Sequence, residues 1–149
     1  MQGGMRCSLW YKLLIRSLDR SSVVEKVLLR AKAEGKDFSV IVADSRPLLE
    51  GKALLKSLTS GENPISCTYA LLPALPALLP EVTTVLLGAH SIYSNGAVYS
   101  RAGTALVSMM AKQRSVPVVI CCETCKFSEG VLVDAFGKNE LGEPQNLPI

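Results

Sequence analysis

Seven residues in this chain have the types and spacing to hold an anion: Arg46, His90, Asn95, Gly96, Arg101, Gly103 and Thr104. A guanidinium offers a planar fork of donors suited to phosphate or carboxylate, and the free amides at a helix start add donors and a favourable dipole. Gly103 and Thr104 open a stretch with helical apolar spacing, so they read as such a start. Asn95-Gly96 permits a tight turn in the loop leading to it. The plainer role for these residues is loop and helix capping, with Arg46 holding Asp44 or a neighbouring carboxylate. His90, the one histidine, reads as a hydrogen-bonded strand-end residue before it reads as a base, because spacing sets no serine or cysteine beside it.

Cys121, Cys122 and Cys125 form a second cluster, and Cys122-Glu123-Thr124-Cys125 has the C-x-x-C spacing of zinc and thiol-redox sites. A closed zinc site takes four ligands, and the further candidates are Cys7, Cys67 and His90. Cys121 and Cys122 end an apolar run, where cysteine ordinarily serves as a small buried hydrophobe. The sequence therefore assigns no metal and no cofactor.

The elements that must position these groups follow from hydrophobic pattern. Val85–Gly88 is a short, wholly apolar strand with His90 just beyond its carboxyl end. Ala102, Ala105, Leu106, Met109 and Met110 recur at i, i+3, i+4, i+7, i+8, which predicts a helix packing that stripe, both methionines included, onto a sheet. Val116–Cys122 is a further apolar strand, with Pro117 near its start where a missing amide harms the ladder least. Upstream, Ser22 and Glu25 suggest a capping box, Val24, Val27, Leu28 and Ala31 a helical stripe and Gly35 a stop, giving a helix over Ser22–Glu34. Phe38–Ala43 reads as a buried strand ending in Asp44, Ser45 and Arg46, and Pro47 suits the start of a helix over Leu48–Leu58. Ile65–Leu71 is a strand candidate. Pro73, Pro76 and Pro80 limit the stretch after it to short helix or turns.

Alternating strands and helices of this kind predict an α/β fold: a Rossmann-like parallel sheet flanked by helices. Residues 1–20 stand apart as an uncertain segment, and 21–149 read as the domain. Trp10, Leu13, Leu14 and Leu18 fall at helical spacing, as in a packed helix. Arg6, Lys12, Arg16 and Arg20 loosely match a transit peptide, and Cys7–Leu18 carries no clean strand signal. The apolar pattern weakens after Lys126, and Glu140–Ile149 resembles a surface segment. A sheet truncated there leaves an open edge or apolar face.

The chain has 149 residues, of which 48% are hydrophobic, enough for one domain with a real core and incompatible with a disordered tail. A net charge of +3, with scattered basic residues and few aromatics, gives no support to direct nucleic-acid binding. Leu13–Ile15 is far too short to span a bilayer, so no membrane role is expected. Five cysteines, an odd number, favour a reducing compartment, with the cytoplasm as default.

Several motifs in order carry a resemblance: D-S-R-P-L-L-E-G, then G-A-H-S-I-Y-S-N-G, R-A-G-T, V-P-V-V-I-C-C-E-T-C-K-F and D-A-F-G-K-N-E-L. Across Ser21–Pro144 the chain resembles the C-terminal domains of a family that contains the alpha, beta and delta subunits of eukaryotic translation initiation factor 2B, and its pattern is of the delta type. The same family includes isomerases acting on methylthioribose 1-phosphate and ribose 1,5-bisphosphate. The resemblance implies a non-catalytic regulatory and assembly subunit of the guanine-nucleotide exchange factor for translation initiation factor 2. Its implied partners are the beta subunit, the other subunits of the factor, and translation initiation factor 2 itself.

The alternative within the resemblance is a sugar-phosphate isomerase or an isomerase-derived metabolite sensor. Aligned by motif, Arg20, near Ser21, stands where those isomerases carry a catalytic cysteine, and His90 stands where they carry an aspartate. Ser100 and Arg101 replace an asparagine-lysine pair that contacts substrate. Arginine supplies no thiolate and histidine no carboxylate, so the resemblance implies that isomerase chemistry is lost while the Arg46 motif and the Asn95-Gly96 turn persist.

Overall fold

The computed structural model describes residues 11–16, 22–45, 49–61 and 63–133. Five strands form a parallel sheet: β1 (Tyr11–Arg16), β2 (Phe38–Asp44), β3 (Ser66–Leu71), β4 (Thr84–Gly88) and, numbered after two short strands of a separate sheet, β7 (Val118–Cys121). Their spatial order is β3-β2-β1-β4-β7, each neighbouring pair parallel. Helices α1 (Ser22–Ala33), α2 (Gly51–Thr59), α3 (Leu75–Leu78) and α4 (Thr104–Gln113) make the connections.

Strand alternation divides the core in two. Leu14, Ile41, Ala43, Val85 and Leu87 point to one face, where Leu75 and Leu79 of the proline-rich segment and Val107 and Ala111 of α4 meet them. Ile15, Val40, Val42 and Leu86 point to the other, against Val24 and Leu28 of α1 and Leu58 of α2. Helices on both faces explain why the central strands are near-continuous apolar runs. Pro73, Pro76 and Pro80 each stand at the start of a short turn, so the segment breaks into a 3-10 turn (Leu72–Ala74), α3 and a second 3-10 turn (Leu79–Glu81), as their missing amides require.

Three expectations are corrected. The first concerns the N-terminal segment: Tyr11–Arg16 is not a packed helix but β1, the middle strand of the sheet, so the fold begins before residue 21. Leu13, Leu14 and Ile15 are the only apolar run in this strand, and Lys12 hides its signal. Its side chain is 28% exposed with the ammonium paired to Glu81, and the Thr83 amide donates to the Lys12 carbonyl at 2.9 Å.

The second concerns helix faces. On α4, Thr104, Val107 and Ala111 are buried, whereas Leu106 is 45% and Met109 59% exposed; of the predicted stripe only Met110 packs against the core. On α1, Val24 and Leu28 are buried and Ala31 packs against them, but Val27 faces out. Glu25, expected in a capping box, accepts a hydrogen bond from Ser57 of α2 and so joins the two helices.

The third concerns α2, expected from Leu48, which with Pro47 lies outside the described residues. The helix begins at Gly51, because Leu49 adopts a left-handed φ of 49° that no helix continues through.

A small second sheet, not anticipated from sequence, follows β4. Strands β5 (Ser91–Tyr93) and β6 (Val98–Tyr99) form a hairpin, and β8 (Phe127–Ser128) pairs in parallel with β5. Gly96 turns the hairpin with φ 78°, its amide donating to Tyr93 O at 2.9 Å.

Candidate functional site

In an open parallel sheet, ligands bind outside the carboxyl ends of the strands where strand order reverses. Here the reversal lies at β1, with β2 on one side and β4 on the other. The connection leaving β4 carries His90, Ser100, Arg101, Gly103 and Thr104 past this point, and the connection leaving β2 carries Asp44, Ser45 and Glu50.

The β4 connection is held by its own polar groups. The His90 amide donates to Tyr99 O at 2.9 Å, and the two rings lie 6.3 Å apart. Ser100 Oγ reaches back to Gly88 O at 3.3 Å, and Thr104 Oγ1 lies 3.3 Å from Ser100 Oγ. Gly103 precedes α4 with φ 89°, a left-handed turn that suits glycine. Thr104 is 7% exposed, so its hydroxyl faces the protein rather than a ligand in solvent.

The β2 connection is organised by Asp44, only 2% exposed. Its carboxylate accepts from Tyr69 Oη at 2.9 Å and from the Ser45 amide at 2.8 Å. Burial pushes the Tyr69 phenol up, and its hydrogen bond to Asp44 and the Asp44 charge add to that. Gly51 abuts the same carboxylate so closely that a Cβ there would lie 2.8 Å from Asp44 Cγ. A side chain at residue 51 would have to displace the Asp44 carboxyl, so glycine suits the close approach of the start of α2 to the end of β2.

The two connections meet. Arg101 Nη1 binds Glu50 Oε2 at 2.6 Å, with both side chains about one-third exposed. Because β1 lies between β2 and β4, this ion pair joins the connections that leave the strands on either side of β1.

The structure thus gathers His90, Arg101, Gly103 and Thr104 on one connection, as the sequence suggested, but gives Arg101 a carboxylate partner. Arg46 lies outside the described residues. Asn95 and Gly96 belong to the hairpin tip instead: Asn95 Nδ2 donates to Leu132 O at 2.8 Å, and Ser94 binds Gly130 O, so these groups fasten the chain after β8. Sequence reasoning missed Glu50, whose ion partner is 51 residues away and leaves no local signal.

Among the described residues Cys67, Cys121, Cys122 and Cys125 are free thiols. Burial pushes the Cys67 and Cys121 thiols up, with Cys122 adding to the effect at Cys121, and this disfavours the thiolate. No group of three or more histidine, cysteine or acidic side chains there could hold a metal. No helix among these residues is long and apolar enough to cross a membrane.

The profile of the Initiation factor 2 subunit family matches residues 12–148. The chain is 48% identical over 127 residues to translation initiation factor eIF2B subunit delta of Schizosaccharomyces pombe, covering 85% of this chain and 27% of that protein. Ribose 1,5-bisphosphate isomerase of Pyrococcus furiosus is 35% identical over 124 residues, covering 83% of this chain and 38% of the isomerase. Among solved structures, a chain of the tetrameric eIF2B-beta2-delta2 complex from C. thermophilum superposes with a TM-score of 0.81 at 37% identity, over 92% of this chain and 43% of that one. The chain spans about a quarter of the length of the yeast delta subunit. With its sheet order, its strand-end connections and the match over nearly its whole length, this chain belongs to the Initiation factor 2 subunit family.

Proposed function

We propose that this chain acts as a non-catalytic regulatory and assembly region of a delta-type subunit in the cytoplasmic exchange factor for translation initiation factor 2. It pairs there with a beta subunit. The observation that carries this reading is its likeness to a chain of the beta2-delta2 complex, at more than a third identity over nearly its full length. The exposed apolar residues support it: Leu106, Met109, Val119 and Phe127 are between 44% and 64% exposed, as expected of surface that a partner covers. Of the residues in the anion-binding reading, Arg46, His90, Asn95, Gly96, Arg101, Gly103 and Thr104, two have protein partners of their own: Arg101 holds a carboxylate and Asn95 serves the hairpin.

The test is light scattering across a dilution series, alone and with beta subunit, for this chain and for a version extended to the length of its relatives. Alone, the protein should self-associate or aggregate, and with beta subunit it should form a defined complex. A lengthened protein that stays monomeric at high concentration and ignores the beta subunit would overturn the proposal.

The isomerase relatives define the second reading. Motif alignment puts Arg20 and His90 at the catalytic positions, so neither sugar phosphate should be converted above background. Conversion abolished by His90→Ala would restore the enzyme.

A further inference from the structure

We propose that Glu50 is a built-in occupant of the strand-end crevice: its carboxylate takes the place on Arg101 that a phosphate would take and keeps free anions out. This deepens the non-catalytic reading and rests on it, because a carboxylate already on the guanidinium makes Arg101 unavailable to a substrate phosphate. Arg101 is the guanidinium on the β4 connection at the reversal of strand order, where a ligand is normally received. It binds Glu50 Oε2 at 2.6 Å, the short contact of a charge-assisted bond. Glu50 sits at the threshold of α2, and Gly51 beside it is pressed against the buried Asp44, so the backbone carrying the carboxylate is pinned to the end of β2. Arg101 is pinned equally, since the Thr104 amide donates to Arg101 O at 3.2 Å and Ser100 Oγ reaches Gly88 O.

A tethered group competes at an effective concentration of roughly millimolar or more. Free phosphate below that level therefore loses to Glu50, although phosphate has the geometry and charge to pair with a guanidinium. The pair also ties the connection leaving β2 to the connection leaving β4 while it is intact.

The experiment is calorimetric titration of the full chain with inorganic phosphate. Unchanged protein should show no saturable binding in the low millimolar range. Glu50→Gln keeps size and shape but removes the charge, and should tighten phosphate binding roughly tenfold or more. Glu50→Asp, with a carboxylate one methylene shorter, should show a smaller gain. Adding Arg101→Gln to Glu50→Gln should abolish the gain. Glu34→Gln, in the exposed Arg30–Glu34 ion pair between the end of α1 and the start of β2, should bind as the unchanged protein does and so controls for net charge. Far-UV circular dichroism and melting of each variant establish folding, and Glu50→Asp serves if Glu50→Gln does not fold. Equal phosphate affinity with and without the Glu50 carboxylate, or a gain that survives loss of Arg101, overturns the proposal. Beta-subunit binding is read separately by light scattering, so failure of the assembly reading remains distinguishable from failure of this one.

Discussion

Strands β2 and β7 are both runs of aliphatic residues in one parallel sheet, yet they meet water differently. In β2 every residue from Val40 to Asp44 is buried, whereas in β7 none is, and Val119 is 44% exposed. Composition does not separate them: Val-Ile-Val-Ala and Val-Val-Ile-Cys have similar apolar character. Neighbours do. Strand β2 lies between β1 and β3 with helices over both faces, while β7 has β4 on one side, and Val119 points to the α1 face where no described helix reaches it. An apolar run thus specifies a strand, and how many sides of it are covered is set by its place in the sheet.

The largest expected effect tests the centre of that contrast. Leu14→Ala in β1, at 0% exposed, should cost about 2–5 kcal/mol, and Val119→Ala in β7 less than about 1 kcal/mol, by urea denaturation followed with circular dichroism. Equal losses would mean that β7 is covered in solution, which a concentration-dependent midpoint would reveal.

A smaller effect is expected where α2 meets β2. Alanine in place of glycine gains up to about 1 kcal/mol of helix propensity, but at position 51 its Cβ meets the buried Asp44 carboxyl at 2.8 Å. Overpacking costs about 1–3 kcal/mol, so Gly51→Ala should be destabilising overall. Gly61→Ala, with nothing within 4 Å of the added carbon, should change little. A neutral Gly51→Ala would show that Asp44 can move aside, and would weaken the argument that this end of β2 is rigid.

The smallest effect sharpens the difference between the two sides of α4. Met109→Gln, on the exposed side, should shift stability of the isolated chain by no more than about 0.5 kcal/mol. Val107→Ala, at 0% exposed, should cost clearly more in the same thermal melts. If Met109→Gln proved the costlier, the predicted stripe would face the sheet after all.

Much of the fold was legible because it is written locally. The apolar runs of β2 and β4, the β-prone residues of β3, the glycine after α1 and the three prolines before β4 act through backbone geometry within a few residues, so sequence alone determined an α/β chain with alternating elements. The ordered motifs likewise carried the family. The tertiary structure decided what depends on neighbours distant in sequence. Lys12 and its partner Glu81 hide a central strand as a mixed segment, and Val107, rather than the larger Met109, faces the core, because position around the helix outweighs side-chain size. Glu50 and Arg101 are an unremarkable acid and base until the order β2-β1-β4 brings together the connections that leave the strands on either side of β1. An ion pair needs a distance of a few ångströms, and for residues so far apart along the chain only the folded sheet supplies it.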